Sequence, residues 1–301
     1  MKHTNLIIYH SADWDGWMSA AIALDALRGD ADTVGWKYGQ PDPDTSGYRN
    51  IYVLDVCLSR EAMISVEPGS MLIWNDHHVS SIREMGDIGC LGLRSPEYAA
   101  CQLTWQWFHG KTRMPLAVQL LGEYDIFRKD ERLHPWSKIL DYQMGLRNRP
   151  GSVEAAVSIL KNSRRYPGFN ERIRRTIASG HEFLAYKRNE ALMAWNCFSF
   201  DITADGRRGK FLMTHDKSSL MSEPLFELHE EKEDLDFVML ANTDGTSRQA
   251  GMYNISIRVP SWSDFNAEQF AKRYDGGGHL RAAGCRFPFE VVDAMMKTGV
   301  L

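Results

Sequence analysis

Short apolar runs separated by helical patterns constrain this chain more than any other feature. Leu6-Ile7-Ile8-Tyr9, Thr33 to Tyr38, Ile51-Tyr52-Val53-Leu54 and Met71-Leu72-Ile73-Trp74 read as buried strands. Met18 to Leu27 reads as the helix after the first of them, and Ala99 to Phe108 and Leu116 to Tyr124 also read as helices. Strands that alternate with helices dictate an α/β fold class, here a doubly wound parallel sheet.

The pattern changes near Pro150. Val153 to Asn162 and Glu171 to Leu192 read as charged helices, with turn signals at Arg147-Asn148-Arg149-Pro150-Gly151 and Tyr166-Pro167-Gly168. Strands return at Cys197 to Ile202, Gly209 to Thr214, Phe237 to Asn242 and Tyr253 to Arg258. Gly276-Gly277-Gly278 follows and is expected to lead into a short helical stretch. The layout predicted is a first α/β domain over 1–165, a helical connector over 166–192 and a smaller mixed α/β domain over 193–301. A length of 301 residues suits two domains, and 44% hydrophobic residues can fill two cores.

Several function classes drop out. No apolar run approaches the roughly 18 residues of a membrane span. The start, Met1-Lys2-His3-Thr4-Asn5 before Leu6 to Tyr9, lacks the core of an export signal. Five cysteines at 57, 90, 101, 197 and 285 show no CxxC spacing, which suits a reducing cytoplasm. The net charge of −4 argues against a generic polyanion binder. One basic stretch, Arg147, Arg149, Lys161, Arg164, Arg165, Arg172, Arg174 and Arg175, reads first as a solvated helix face and second as a phosphate-tracking groove.

Chemistry collects where the first strands end. His10 ends one and is followed by Asp13-Trp14-Asp15-Gly16; Asp55 ends another; Asp76-His77-His78 ends a third. Ligand sites of open α/β sheets lie beyond the carboxyl ends of their strands. Taken singly, Asp13 or Asp15 reads as a turn or helix cap, His10 as a rim histidine and Asp55 as the cap of a helix starting near Ser59. Together they form a mixed nitrogen and oxygen ligand set without thiolates, which suits Mn²⁺ or a similar divalent ion. With Asp125 included, four carboxylates could not crowd together uncompensated. A pair of dications resolves that conflict.

These residues resemble the DHH phosphoesterase superfamily. His10-x-x-Asp13-x-Asp15-Gly16, the strand-terminal Asp55 and Asp76-His77-His78 look like its core motifs. Gly276-Gly277-Gly278-His279 with Ala282-Ala283-Gly284 looks like the GGGH signature of the associated C-terminal domain. Ala12 stands where the pattern has Pro, which affects turn rigidity and not ligation. The resemblance implies two divalent metal ions, Mn²⁺ first, with Mg²⁺ or Co²⁺ as alternatives. His10 and Asp13 would hold one ion, Asp15 and His77 the other, Asp55 would bridge them, and Asp125 matches the family's further metal-binding Asp. Asp87 is a rival for the place of Asp125. Asp76 would orient an imidazole, and His78 would face the substrate phosphate. Arg258, Gly276, Gly277, Gly278 and His279 would grip a substrate phosphate, with Lys272, Arg273 and Arg281 left as solvated surface.

The function implied is hydrolysis of short single-stranded RNA or DNA or of a small nucleotide, by a metal-activated water attacking phosphorus in line, in a cleft between the domains. Within the family, the short two-domain layout is shared by nano-RNases, cyclic-dinucleotide phosphodiesterases and bisphosphonucleotide phosphatases, and the latter two are the alternatives. RecJ-like exonucleases carry further domains. A non-catalytic nucleotide-binding module is a further alternative, which the complete ligand set disfavours. Trp14, Trp17, Trp36 and Tyr38 read mainly as core, with base stacking as the minority reading. The oligomeric state is left open, a homodimer being one option.

Overall fold

The computed structural model describes residues 4–129, 133–166, 170–214, 218–232, 234–243 and 245–301. Pro167 and Gly168 of the second turn signal lie outside these residues. The chain divides into two compact units, Met1–His181 and Glu182–Leu301.

In the first unit the order is β1 (Asn5–His10), α1 (Trp14–Ala26), β2 (Asp32–Trp36), β3 (Asn50–Leu54), α2 (Arg60–Ile64), β4 (Met71–Asn75), α3 (Val79–Glu84), α4 (Ala100–His109), α5 (Leu116–Asp125), α6 (Trp136–Arg147) and α7 (Val153–Arg165). Helix α8 (Glu171–Cys197) begins in this unit and ends in the next. The four strands are all parallel, in the order β2-β1-β3-β4. A sheet covered on both faces needs continuous apolar strands, and that is why the runs do not alternate with polar residues. Leu6, Ile8, Val53 and Trp74 fill the core on one face, while Ile7, Tyr52, Leu54 and Ile73 fill the other. On the latter face α1 packs, and α7 packs on α1 and joins the same core through Val153. Strand order reverses between β1 and β3, so the crevice beyond His10 and Leu54 is where such a sheet takes a ligand. The basic stretch is a solvated helix face: Arg174 and Arg175 both pair with Glu171, Arg164 pairs with Asp25, and Arg172 bonds Ser158.

The second unit continues with β5 (Ser199–Ala204), β6 (Arg207–Met213), α9 (Ser218–Lys232), β7 (Phe237–Asn242), α10 (Gly245–Gln249), β8 (Met252–Arg258), α11 (Ala267–Lys272), β9 (Gly277–His279), β10 (Ala282–Pro288) and α12 (Phe289–Thr298). Its sheet is mixed, in the order β5-β6-β7-β8-β10-β9, with only β6 and β7 parallel. Phe211, Phe237, Phe265, Phe270 and Phe287 dominate the core on one side. Leu212, Val238 and Leu240 meet Ala191, Ala194 and Leu225 on the other.

One expectation fails here. Gly276 to Gly278 does not lead into a helix but into a β-hairpin, in which Gly277 pairs with Gly284 and His279 with Ala282. Alternation from Ala282 to Pro288, with Ala283, Cys285 and Phe287 buried, is a strand period. A Cβ on Gly276 would sit 2.2 Å from the Gly284 carbonyl oxygen, and Gly278 has φ 141°. Two of the three glycines are therefore needed by the hairpin itself.

Candidate metal centre

Asp13 caps α1, its Oδ1 accepting from the Gly16 amide at 3.1 Å. Its other oxygen, Oδ2, lies 3.0 Å from His10 Nδ1. Asp13 is thus the helix cap and also lies in the acidic cluster. Gly16 lets the helix start that close to β1, since a Cβ there would meet the His10 carbonyl oxygen at 1.9 Å.

Asp55 follows β3 with φ 61°, a left-handed conformation that Asp tolerates better than most residues. Its amide donates to the Asn75 carbonyl at 3.0 Å, which ties the turn to the end of β4. The carboxylate faces two ways. Oδ2 is 3.6 Å from His10 Nδ1, and Oδ1 is 3.4 Å from His77 Nε2. His77 Nε2 also lies 3.2 Å from Asp125 Oδ2, at the end of α5, and 3.8 Å from Asp15 Oδ2. Two ligand sets result, His10 with Asp13 and Asp55, and His77 with Asp15 and Asp125; within each, the ligand atoms lie within 4.8 Å of one another. Asp55, His77 and His78 satisfy the same limit.

Asp76 is wholly buried, and its Oδ1 accepts from the His77 and His78 amides at 2.7 and 3.2 Å. The same oxygen lies 2.7 Å from His78 Nδ1, so the imidazole that Asp76 orients is that of His78. Asp87, the rival ligand, is on the surface in an ion pair with Arg60.

The electrostatics are those of a site built for positive charge. Burial disfavours an imidazolium at His10, yet Asp13 and Asp55 outweigh it and push the pKa up to about 11. His77 and His78 are raised in the same way, against burial, by Asp55 and Asp76 respectively. Burial, joined by the charges of Asp55 and Asp125, lifts the Asp15 carboxyl well above the usual range. Burial and neighbouring carboxylates lift Asp125 to about 6. Burial pulls Asp55 the same way, but the two imidazoles that flank it hold it well below the usual range. Protons thus balance the carboxylates where cations would. Nitrogen and oxygen donors in two adjacent sets, with Asp55 of the first 3.4 Å from His77 of the second, fit a pair of divalent ions.

Sequence reasoning missed how Asp15 is held. Its two oxygens accept from the Ala100 and Cys101 amides at 2.9 and 2.8 Å. Ala99 at the N-cap of α4 has no side-chain acceptor, so Asp15 caps that helix from 85 residues away. The small buried residues Ala99-Ala100-Cys101 were the only signal of so close an approach. Of the aromatics, Trp14 and Trp36 are core, and Trp17 packs against Gly151. Tyr38 is 54% exposed with its ring 6.2 Å from that of His10.

In the second unit Arg258 donates to Ser256 Oγ at 3.2 Å, and its Nε lies 3.9 Å from buried Glu223. Gly277 has open space where a Cβ would go, and His279 is exposed in β9. Lys272 and Arg273 pair with Glu268 and Asp205 on the surface, and Arg281 bonds the Ser261 carbonyl.

No family model matches the chain, and no curated protein matches it. Among solved structures it is similar to a pGpG-specific phosphodiesterase, PggH, of Vibrio cholerae, with 14% identity and a TM-score of 0.49 over 97% of this chain and 96% of that one. A putative family II inorganic pyrophosphatase of Methanococcus jannaschii gives 15% identity and a TM-score of 0.30, over 95% and 94%. No helix among the described residues is long and apolar enough to cross a membrane.

Proposed function

We propose that this chain is a metal-dependent phosphodiesterase acting on short oligonucleotides or small nucleotides. The observation that supports it most is Asp55, whose two oxygens face separate imidazole and carboxylate sets. His10, Asp13 and Asp55 would hold one ion, and Asp15, His77, Asp125 and Asp55 the other. Mn²⁺ suits the mixed donors best, with Mg²⁺ and Co²⁺ workable. Two such ions polarise a phosphoryl oxygen and make water a nucleophile at neutral pH.

The chain's own groups supply the rest. Asp76 holds His78 through Nδ1, which leaves Nε2 to donate to a non-bridging phosphate oxygen. Asp76 favours the charged form of His78 against burial, and a charged donor is matched to an anionic substrate. Arg258, Gly277 and His279 would hold a further phosphate in the second unit, so that residues 1–165 hydrolyse, 166–192 connect and 193–301 position substrate.

The test is a Mn²⁺-supplemented panel of linear dinucleotides (pGpG among them), short oligoribonucleotides and oligodeoxynucleotides, cyclic dinucleotides, bisphosphorylated adenosine and pyrophosphate, assayed by phosphate or mononucleotide release. Linear di- and oligonucleotides are the substrates expected. Asp55→Asn should lower kcat/KM at least a hundredfold, about 2.7 kcal/mol of transition-state stabilisation. Full activity of that variant, or metal held by cysteines, would overturn the proposal.

A further inference from the structure

The second unit holds a cavity of about 760 Å³ for which the hydrolytic reading has no use. It opens at the carboxyl ends of the parallel pair β6 and β7, where Met213 faces Ala241 and the chain runs on into Thr214, Asn242 and Thr243. Arg258 pairs with Val238 and with Ala282, and Ala282 with His279. The glycine hairpin, beyond β8, is therefore level with the opposite end of β7, about 13 Å away along the strand direction.

The lining combines rings with cations. Tyr253 and Phe289 present rings with centroids 4.7 Å apart, and Phe198 and Met213 complete an apolar wall. Lys187 is buried, with its Nζ 2.6 Å from Glu190 Oε2. The guanidinium of Arg248 is exposed and makes no ion pair or hydrogen bond among the described residues, while its backbone is anchored to β8 through its neighbour. The residue before it, Ser247, is buried and accepts from Asn254 of β8 at 3.2 Å. Two cations against one carboxylate leave the cavity net positive, and an uncommitted guanidinium suits a phosphate. The volume is that of a small-molecule site.

We propose that this cavity binds a nucleoside monophosphate, with the base against Tyr253 and Phe289 and the phosphate on Arg248. The site stands independently of the hydrolytic reading, although its ligand belongs to the class of product that reaction would release. A second binding place for such a product would report its level to the molecule.

Calorimetric titration of the full chain, stripped of metal with EDTA, tests this, because hydrolysis is then silent while the cavity is intact. Saturable binding of adenosine monophosphate is expected, with adenosine and ribose 5-phosphate each at least about tenfold weaker. Arg248→Gln, an exposed substitution, should weaken the nucleotide about tenfold or more. Phe289→Leu should weaken it about fivefold or more. Lys297→Gln, which removes an equal charge from α12, should leave it unchanged. No saturable binding, or binding indifferent to Arg248→Gln, would overturn the proposal, whatever the phosphodiesterase assay shows.

Discussion

Gly16 is where side-chain chemistry and backbone geometry meet most tightly. Ala in its place would press a methyl group into the His10 carbonyl at 1.9 Å, so β1 and the start of α1 would have to part. Overpacking of this kind costs about 1–3 kcal/mol. Urea unfolding of Gly16→Ala should show that loss in the first unit, together with a fall in activity, because His10 and Asp13 would move apart. The residues of the cluster were legible in the sequence because each stands directly after an apolar strand, and the parallel sheet brings those ends to one rim. Asp125 was harder to identify, since it ends a helix and only a resemblance pointed to it. The hold of Ala100 and Cys101 on Asp15 was invisible, because backbone amides leave no mark in the residue types that carry them.

Secondary-structure elements divide the same way. Strands with a continuous apolar run or a clear alternation could be read directly, and β7, Phe237–Asn242, falls where its run predicts. The hairpin could not, since three glycines suit a helix entry, a loop and a tight strand pairing alike. Its structure separates the roles of those glycines. Gly278→Ala should destabilise the second unit by about 1–3 kcal/mol, from positive φ and from overlap with the Ala282 carbonyl. Gly277→Ala should unfold with the wild type, and should instead raise KM for an oligonucleotide if backbone approach at that point matters. Denaturant midpoints paired with kinetics distinguish the two. Helix α9 adds a pH effect. His229 is fully buried, donates through Nε2 to the Leu235 carbonyl at 2.8 Å, and has its pKa held down by burial. The unfolded chain takes up that proton first, so stability should fall as pH drops below about 6.5. In urea titrations at pH 7.5 and 5.5, His229→Gln should flatten that acid loss.

At the scale of the whole molecule, the two units have separate sheets and separate cores, and the acidic cluster belongs to the first alone. Ligand that binds only the folded form stabilises it by mass action, about 2.7 kcal/mol at a hundredfold excess over Kd. Scanning calorimetry should therefore show Mn²⁺ raising the melting temperature of the first unit, and EDTA reversing the rise, with little change in the second. A single transition unmoved by Mn²⁺ would contradict the metal assignment. The position of the cluster along the chain also bears on how the protein is made. All of its clustered residues have been synthesised by Asp125, and α7, which packs on α1, is complete by Arg165. Translation of residues 182–301 then takes about 6–24 s at 5–20 residues per second. During that interval the amino-terminal unit can fold on the ribosome and, on the proposed assignment, would take up its ions before synthesis of the carboxyl-terminal unit is complete.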